Sequence, residues 1–315
     1  MPQPLVSIII PCFNAEPWLA STLESALAQT WSRTEIIVVD DGSSDQSVAV
    51  ARQFETRGIR LLNQANAGAG VARNTGLSVA QGDFIQYLDA DDRLSPDKIA
   101  AQIAWLEHSP PRKVATCRWA RFQDDEAEAR FISEAVYRDL GAIDFLLLAA
   151  NENQMMHTAA WLVPRTLVEA AGPWDSVPSP NDDGEYFCRV LLASEGLAFC
   201  PVGQSYYRSG LEISLSKTSS QKACRGLLHS MDLIARNLAD FENSRRVHVA
   251  LANHYQRIVY LSYPHAPEVV TAAVERARDH GGSNLRPEMG PRTAALARLI
   301  GWKLTWRLKT LLGRR

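Results

Sequence analysis

The chain has 315 residues, of which 46% are apolar and 22% are charged, the composition of a folded protein with a substantial core. Disordered, collagenous and coiled-coil proteins are excluded. A net charge of −2 gives no overall field that would favour nucleic acid as a partner. The cysteine count, 5, is odd and includes no CxxC pair, so the sequence predicts neither a disulfide framework nor a zinc site and favours a reducing, cytoplasmic compartment.

The first 95 residues alternate short apolar runs with helical patterns. The runs lie at 6–10, 36–39, 59–62 and 84–88. Because they are apolar on both faces and about 25 to 30 residues apart, they predict parallel strands joined by helices, an α/β sheet covered on both sides. Asn14 is the expected cap of the first of these helices, with Pro17 in its first turn.

The rest of the chain changes character twice. Between 96 and 215 the pattern is irregular, with a helix around Ile103, strands at 114–120 and 198–207, and a helix at 186–192. From 216 onward it is wholly helical, at 221–241, 245–261 and 267–279, followed by a basic end. The Ser-rich segment near 216 is the expected linker.

Two of the predicted strands end in clustered carboxylates. Asp40 and Asp41 follow the second strand, and Asp89, Asp91 and Asp92 follow the fourth. Each cluster could be a turn or the acidic start of a helix. Parallel strands, however, present their carboxyl ends at one edge, where ligands bind, and clustered carboxylates there favour a divalent cation such as Mg²⁺ or Mn²⁺.

A glycine-rich turn follows the third strand. Its Gly68-x-Gly70 resembles a dinucleotide-binding loop, but Arg73 stands where the third glycine should fall, which argues against that motif. The turn could still receive a phosphate or ribose, with Arg73 pairing with a diphosphate, or it could be purely structural.

Taken in order, VSIIIPCFN, EIIVVDDGSSD, NAGAGVARNTGL, GDFIQYLDADD, AGPWD and NDDGEYFCRVL resemble the motif series of family 2 glycosyltransferases, over about residues 5 to 215. The resemblance implies a GT-A fold, a Rossmann-like, mostly parallel sheet with helices on both faces. It also implies transfer of a sugar from a nucleotide-sugar, most often UDP-linked, with inversion at the anomeric carbon. The expected setting is synthesis of a cell-surface or secreted glycan.

The resemblance also assigns residues. A nucleotide-sugar site is implied at Pro11, Phe13, Asn14, Asp40, Asp41, Arg73, Asn74, Asp89 and Asp91. Pro11 and Phe13 would flank the base, and Asp41 would accept from the base imide. Asp89 and Asp91 would form the DxD motif that binds Mn²⁺ or Mg²⁺.

A carboxylate must take the proton of the attacking hydroxyl in a single-displacement reaction. The family's Glu-Asp pair appears here as Asp182-Asp183, and Asp183 is the expected base. These acids could instead only cap the helix expected to begin near Tyr186. Which of the two neighbours acts is left open by the sequence.

The resemblance divides the chain into a nucleotide-sugar-binding half at 1–95, an acceptor-binding half at 96–215 and a helical extension at 216–315. Arg208 and the SLS at 214–216 are weaker candidates for a diphosphate contact. A glycan or lipid-linked acceptor is expected. A catalytically degenerate, sugar-nucleotide-binding or scaffold protein is the alternative. A nucleotidyltransferase is disfavoured because PCFNAEPW contains no basic, glycine-rich loop.

The end of the chain is basic. No acidic residue follows Glu288, whereas seven cations do: Arg292, Arg298, Lys303, Arg307, Lys309, Arg314 and Arg315. The apolar side chains form one helical stripe, Leu296, Ile300, Leu304, Leu308 and Leu311. Two interpretations remain open, a terminal helix packed on the body or peripheral attachment to the anionic inner face of the cytoplasmic membrane.

Overall fold

A computed structural model describes residues 3–110, 112–210 and 220–311. The described chain forms two compact units. One contains the residues up to Pro178 together with those from Asp182 to Gly210, and the other contains Ser179–Asn181 and the residues from Ser220 onward. The expected linker near 216 lies outside the described residues.

The first unit contains eight strands in two sheets. The strands are β1 Val6–Cys12, β2 Thr34–Asp40, β3 Ile59–Asn63, β4 Phe84–Tyr87, β5 Arg93–Leu94, β6 Val114–Phe122, β7 Val163–Pro164 and β8 Leu197–Arg208. The larger sheet has the order β3-β2-β1-β4-β7 and is parallel except for β7. The predicted mostly parallel sheet is therefore confirmed, with β1 at its centre.

Seven helices accompany these strands. They are α1 Glu16–Leu27, α2 Ser47–Gln53, α3 Ala69–Val79, α4 Lys98–Glu107, α5 Ala142–Glu152, α6 Arg165–Ala171 and α7 Asp182–Leu192. Side chains of β1 alternate between two cores: Ile8 and Ile10 pack with Leu19 and Ile99 on one face, and Ile9 packs in the core on the other. Helices thus cover both faces, and this burial is the main stabilising contribution to the unit.

Helix α3 lies unusually close to the sheet. A Cβ at Gly76 would meet Ile9 Cγ2 at 2.5 Å and Val39 Cγ2 at 3.3 Å, so only glycine permits this approach. The N-cap of α3, Gly68, has φ +95°, which also favours glycine. Gly68 and Gly76 therefore set the position of α3, and with it the position of Arg73.

The smaller sheet has the order β5-β8-β6, with β6 and β8 parallel and their register shifted between Cys117 and Arg118. β5 follows the fourth strand's aspartates directly and pairs with β8. The sheet thereby ties the end of the 89–92 loop to the later part of the unit.

The expected cap of α1 is wrong. Asn14 has a positive φ of 49° and its Oδ1 accepts from Ser44 N at 2.8 Å. The free N–H groups at the start of α1 are instead bound by side chains of the next loop, since Ser47 Oγ accepts from Ala15 N at 2.8 Å and Asp45 accepts from Glu16 N at 3.0 Å. The loops after β1 and β2 are thus bonded to each other.

The helices of the second unit are α8 Gln221–Phe241, α9 Arg245–Ser262, α10 Pro267–Asp279, α11 Pro291–Ile300 and α12 Trp302–Leu311. The single helical stripe expected at the C-terminus is wrong, because Gly301 adopts φ +80° and separates α11 from α12. Trp302 packs edge-on against Tyr260 and Tyr263, with ring centroids 4.9 and 5.2 Å apart. Among the described residues, no helix combines the length and hydropathy needed to cross a membrane.

Candidate active site

The carboxyl ends of β1, β2 and β4 bring most of the predicted site residues to one edge of the sheet. Phe13, at the end of β1, is 52% exposed, unusual for a phenylalanine and suited to stacking on a ring from solution. Pro11 is buried within β1, where it lies opposite Val39 of β2. Of the two residues expected to flank the base, Phe13 is therefore exposed, whereas Pro11 lies inside the sheet.

Asp41 holds the glycine-rich turn in place. Its Oδ1 accepts from Gln64 Nε2 at 2.7 Å and Ala67 N at 2.8 Å, and its Oδ2 accepts from Gly68 N at 2.8 Å. Both carboxylate oxygens are thus already engaged. The turn's N–H groups at 67 and 68 are bound by this carboxylate, and so they are not a vacant phosphate cradle.

Asp40 is differently placed. Its Oδ2 accepts from Gly42 N and Ser43 N, both at 3.2 Å. Its Oδ1 is buried and has no hydrogen-bond partner among the described residues. An unsatisfied buried acceptor is costly, so the burial of Asp40 Oδ1 lowers the stability of the fold at this sheet edge.

Arg73 links the two loops on which the predicted chemistry depends. Its Nη2 donates to Asp89 Oδ1 and its Nη1 to Asp182 Oδ2, both at 2.8 Å. The side chain is 5% exposed, and its guanidinium lies 4.3 Å from the ring centroid of Trp174. One buried cation therefore joins the loop after β4 to the start of α7 and neutralises part of the charge of both.

Trp174 belongs to the AGPWD motif and packs where these loops meet. It stacks on Tyr186 at 4.0 Å between centroids and meets Tyr87 edge-on at 5.0 Å. The Asn74 amide holds its backbone, donating to Trp174 O at 2.9 Å and accepting from Trp174 N at 2.8 Å. Both polar groups of Asn74 are thus used in positioning this aromatic cluster.

Helix α7 begins at Asp182, so both acids lie in its first turn. Asp182 is fully engaged, with Oδ2 on Arg73 and Oδ1 accepting from Asp183 N at 2.8 Å. Asp183 accepts from Gly184 N at 2.8 Å and, at a longer 3.2 Å, from Thr158 Oγ1. Burial, reinforced by the charge of Asp182, raises the pKa of Asp183 to about 6. Asp183 therefore combines a raised pKa with one longer hydrogen bond, whereas Asp182 is bonded to Arg73.

Asp91 lies in a crowded anionic environment. Burial, together with the charges of Asp92 and Asp89, raises the pKa of Asp91 to about 8. A divalent cation would remove this penalty, and oxygen ligands from one or two carboxylates are what Mg²⁺ uses beside substrate phosphates. Over residues 3–110, 112–210 and 220–311, no three or more His, Cys, Asp or Glu side chains are grouped as a metal site. Asp89 and Asp91 therefore fit a metal only if other ligands come from a substrate.

A buried hydrogen bond between Asp92 and His157 holds the end of the loop after β4. Asp92 Oδ2 lies 2.6 Å from His157 Nε2, and Asp92 Oδ1 accepts from Arg208 N at 2.8 Å. His157 Nδ1 in turn lies 3.1 Å from Ser205 Oγ. The Arg208 guanidinium donates to the carbonyl oxygens of Asp91 and Gln123, so it fixes the loop's backbone. The expected SLS contact at 214–216 lies outside the described residues.

Several of these residues carried no signal in the sequence. His157, one of seven histidines, has no ligand spacing, and Thr158 belongs to no motif. Trp174 and Tyr186 lay within quoted motifs, but nothing in a linear sequence shows that they stack. Only the folded structure shows that His157 lies beside Asp92 and that Thr158 lies beside Asp183.

Comparison with known proteins agrees with this geometry. A family model described as "Glycosyl transferase family 2" matches residues 7–169. The chain is 38% identical over 256 residues to "Glycosyltransferase GlyA" of Streptococcus pneumoniae, a match that covers 78% of this chain and 36% of that protein. It spans only 27% of the length of two further curated glycosyltransferases.

Solved structures share the fold. S. aureus TarS 1–349, in complex with UDP-GlcNAc, superposes with a TM-score of 0.67 at 14% identity, covering 88% of this chain and 81% of that one. The mannosyltransferase PcManGT from Pyrobaculum calidifontis, in complex with GDP-Man and Mn²⁺, gives 0.57 at 16% identity, covering 99% and 88%. The GT-A fold expected from the sequence is confirmed.

Substituting Arg73→Met should strongly destabilise the protein. The change leaves Asp89 and Asp182 without their shared cation, and breaking a buried ion pair typically costs about 3–5 kcal/mol. Urea unfolding should show this loss, whereas Arg60→Met, at an exposed strand position, should change stability by less than about 0.5 kcal/mol. Equal effects of the two variants would contradict the bridging role of Arg73.

Proposed function

Because the chain belongs to glycosyltransferase family 2, we propose that it transfers a hexose from a nucleotide-diphosphate donor to an acceptor hydroxyl with inversion. The donor is a UDP-sugar, by analogy with the UDP-GlcNAc complex of TarS. The acceptor is a hydroxyl of a glycan or of a lipid-linked sugar, in synthesis of a cell-envelope polysaccharide. The observation that carries the proposal is the Arg73 bridge, which gathers the Asp89 loop and the Asp182-Asp183 pair at one sheet edge.

In this reaction the acceptor oxygen attacks the anomeric carbon while the bond from that carbon to the diphosphate oxygen breaks. The electron pair leaves with the diphosphate, and the hydroxyl proton passes to Asp183. The raised pKa of Asp183 supports this role, since a base near neutral pKa accepts a proton most effectively. Asp182 is held by Arg73 and acts as a positioning residue.

On the donor side, Phe13 stacks on the base and Asn14 borders it. Asp41 accepts from the base imide, with Asp40 beside it, while the Asp41 carboxylate also holds the glycine-rich turn. Asp89 and Asp91 would hold Mn²⁺ or Mg²⁺, and a cation bound there would supply charge stabilisation for the departing diphosphate. Arg73 and Asn74 act by positioning, without a direct bond to the donor.

We expect nucleotide release from UDP-GlcNAc, UDP-glucose or UDP-galactose, with Mn²⁺ and the methyl glycosides of glucose, galactose, mannose and N-acetylglucosamine as acceptors, to rise as pH increases through about 6, because Asp183 must be ionised. Asp183→Asn should lower the rate about 10²–10⁴-fold yet retain the thermal shift caused by UDP and Mn²⁺. Asp182→Asn should move the midpoint of the pH profile to lower pH, since it removes a neighbouring negative charge.

Asp240→Asn, at an exposed site on α8, is the control and should behave as the wild type. If Asp183→Asn released nucleotide at the wild-type rate, Asp183 would not be the base. If the wild type bound UDP but released nothing from any of the three donors, the chain would be a binding protein.

We also propose that the C-terminal helices attach the protein to an anionic membrane. Apolar side chains of α11 and α12 are exposed, with Leu299 at 83% and Leu304 at 49%. Arg298 and Lys303 lie beside them, and no acidic residue follows Glu288. Trp302 packs on Tyr260, so packing against this unit and an outward apolar face coexist.

The protein should therefore co-sediment with vesicles of equal phosphatidylglycerol and phosphatidylcholine, and much less with phosphatidylcholine alone. Raised salt should weaken the binding. Leu299→Glu should abolish it, whereas Leu261→Glu, at a 62% exposed position on α9, should not. Equal binding by both variants would contradict attachment through these helices.

A further inference from the structure

One face of the smaller sheet presents a cation over two aromatic rings beside the candidate base. We propose that Arg121 and Tyr207 form an acceptor platform, a surface that holds a sugar ring of the acceptor. Trp119 lies beneath it, and Met155 borders it. The inference rests on the proposed glycosyl transfer and names the part of the acceptor that this site recognises.

Strand alternation places these residues together. Trp119 and Arg121 are two apart on β6, and the register sets Arg121 opposite Tyr207 of β8. The intervening side chains point the other way, where Tyr206 packs against Phe122 at 6.2 Å. The platform is therefore one face of the sheet, with a matched residue, Tyr206, next to it on the opposite face.

The Arg121 guanidinium is held over both rings. It lies 5.4 Å from the centroid of Trp119 and 5.1 Å from that of Tyr207, and its Nη2 lies 3.9 Å from Met155 Sδ. A stacked guanidinium keeps its edge donors in a fixed plane. Arg121 itself is exposed, so those donors can be reached from solution.

Two adjacent residues connect the platform to the candidate chemistry. The His157 ring lies 5.1 Å from Tyr207 and 6.1 Å from Trp119, and its Nε2 bonds to Asp92. The next residue, Thr158, donates to Asp183. The platform is thus linked to the candidate base through two consecutive residues, His157 on the platform side and Thr158 on the side of Asp183.

The chemistry of the platform matches a sugar ring. A pyranose has an apolar C–H face, which packs on an aromatic surface, and neighbouring hydroxyls at its edge, which accept from the paired N–H groups of a guanidinium. Within the described part of the chain, Trp119 Nε1 is buried without a hydrogen-bond partner, so burial of this ring costs the fold free energy.

Saturation-transfer NMR tests the platform directly. The probes are the methyl glycosides of glucose, galactose, mannose and N-acetylglucosamine, each with the wild-type protein, UDP and Mn²⁺. At least one glycoside should receive saturation. Arg121→Ala and Tyr207→Ala should each reduce that signal at least fivefold, whereas Tyr207→Phe, which keeps the ring, and Tyr206→Ala, on the opposite face, should retain it.

Each variant must keep the wild-type thermal shift with UDP and Mn²⁺, which shows that it is folded with an intact donor site. The platform is overturned if no glycoside receives saturation from the wild type, or if Tyr206→Ala loses the signal as fully as Tyr207→Ala. A failure of the proposed function differs from both, because it would appear as no nucleotide-induced shift in the wild type.

Discussion

The arrangement of this site depends on one buried cation. Arg73 is supplied by α3, a helix that can approach β1 only because residue 76 is glycine. Its two terminal nitrogens reach carboxylates from loops that are far apart in sequence, one after β4 and one at the start of α7. Without Arg73, the carboxylates of Asp89, Asp182 and Asp183 would lie close together with no compensating charge, and the loops would repel each other.

The same bridge gives the neighbouring acids Asp182 and Asp183 different roles. Asp182 is neutralised by Arg73, while Asp183 is left with weak partners in a poorly solvated position, and its pKa rises to about 6. An acid whose pKa is raised on folding costs stability as pH increases from about 4 to about 6, and the cost persists above that range. The ionised Asp183 carboxylate is thus destabilised at the position where a base is needed. The packing of Trp174 on Tyr186 offsets this cost in folding free energy.

Much of this arrangement was predictable from the sequence. The four parallel strands were visible as short apolar runs at βαβ spacing, although β3 carries the exposed Arg60. The meeting of the carboxylate clusters followed from the rule that parallel strands end at one edge. The break in the C-terminal helix at Gly301 was not predictable, because a helical wheel takes no account of a single residue with positive φ. The cap of α1 was not predictable either, since the side chains that bind its first N–H groups, Ser47 and Asp45, come after β2 in the sequence. Contacts such as His157 with Asp92 depend on tertiary packing and leave no local pattern.

The central claim is that these loops form a nucleotide-sugar site. Its most direct test is thermal unfolding of the wild-type protein with UDP, GDP, CDP and dTDP, each with and without Mn²⁺. The account predicts that one diphosphate, with metal present, raises the unfolding midpoint, since a ligand at about 100 times its Kd stabilises the folded state by about 2.7 kcal/mol. If no diphosphate shifted the midpoint with or without Mn²⁺, the Arg73-bridged carboxylates would be structural and the account would be wrong.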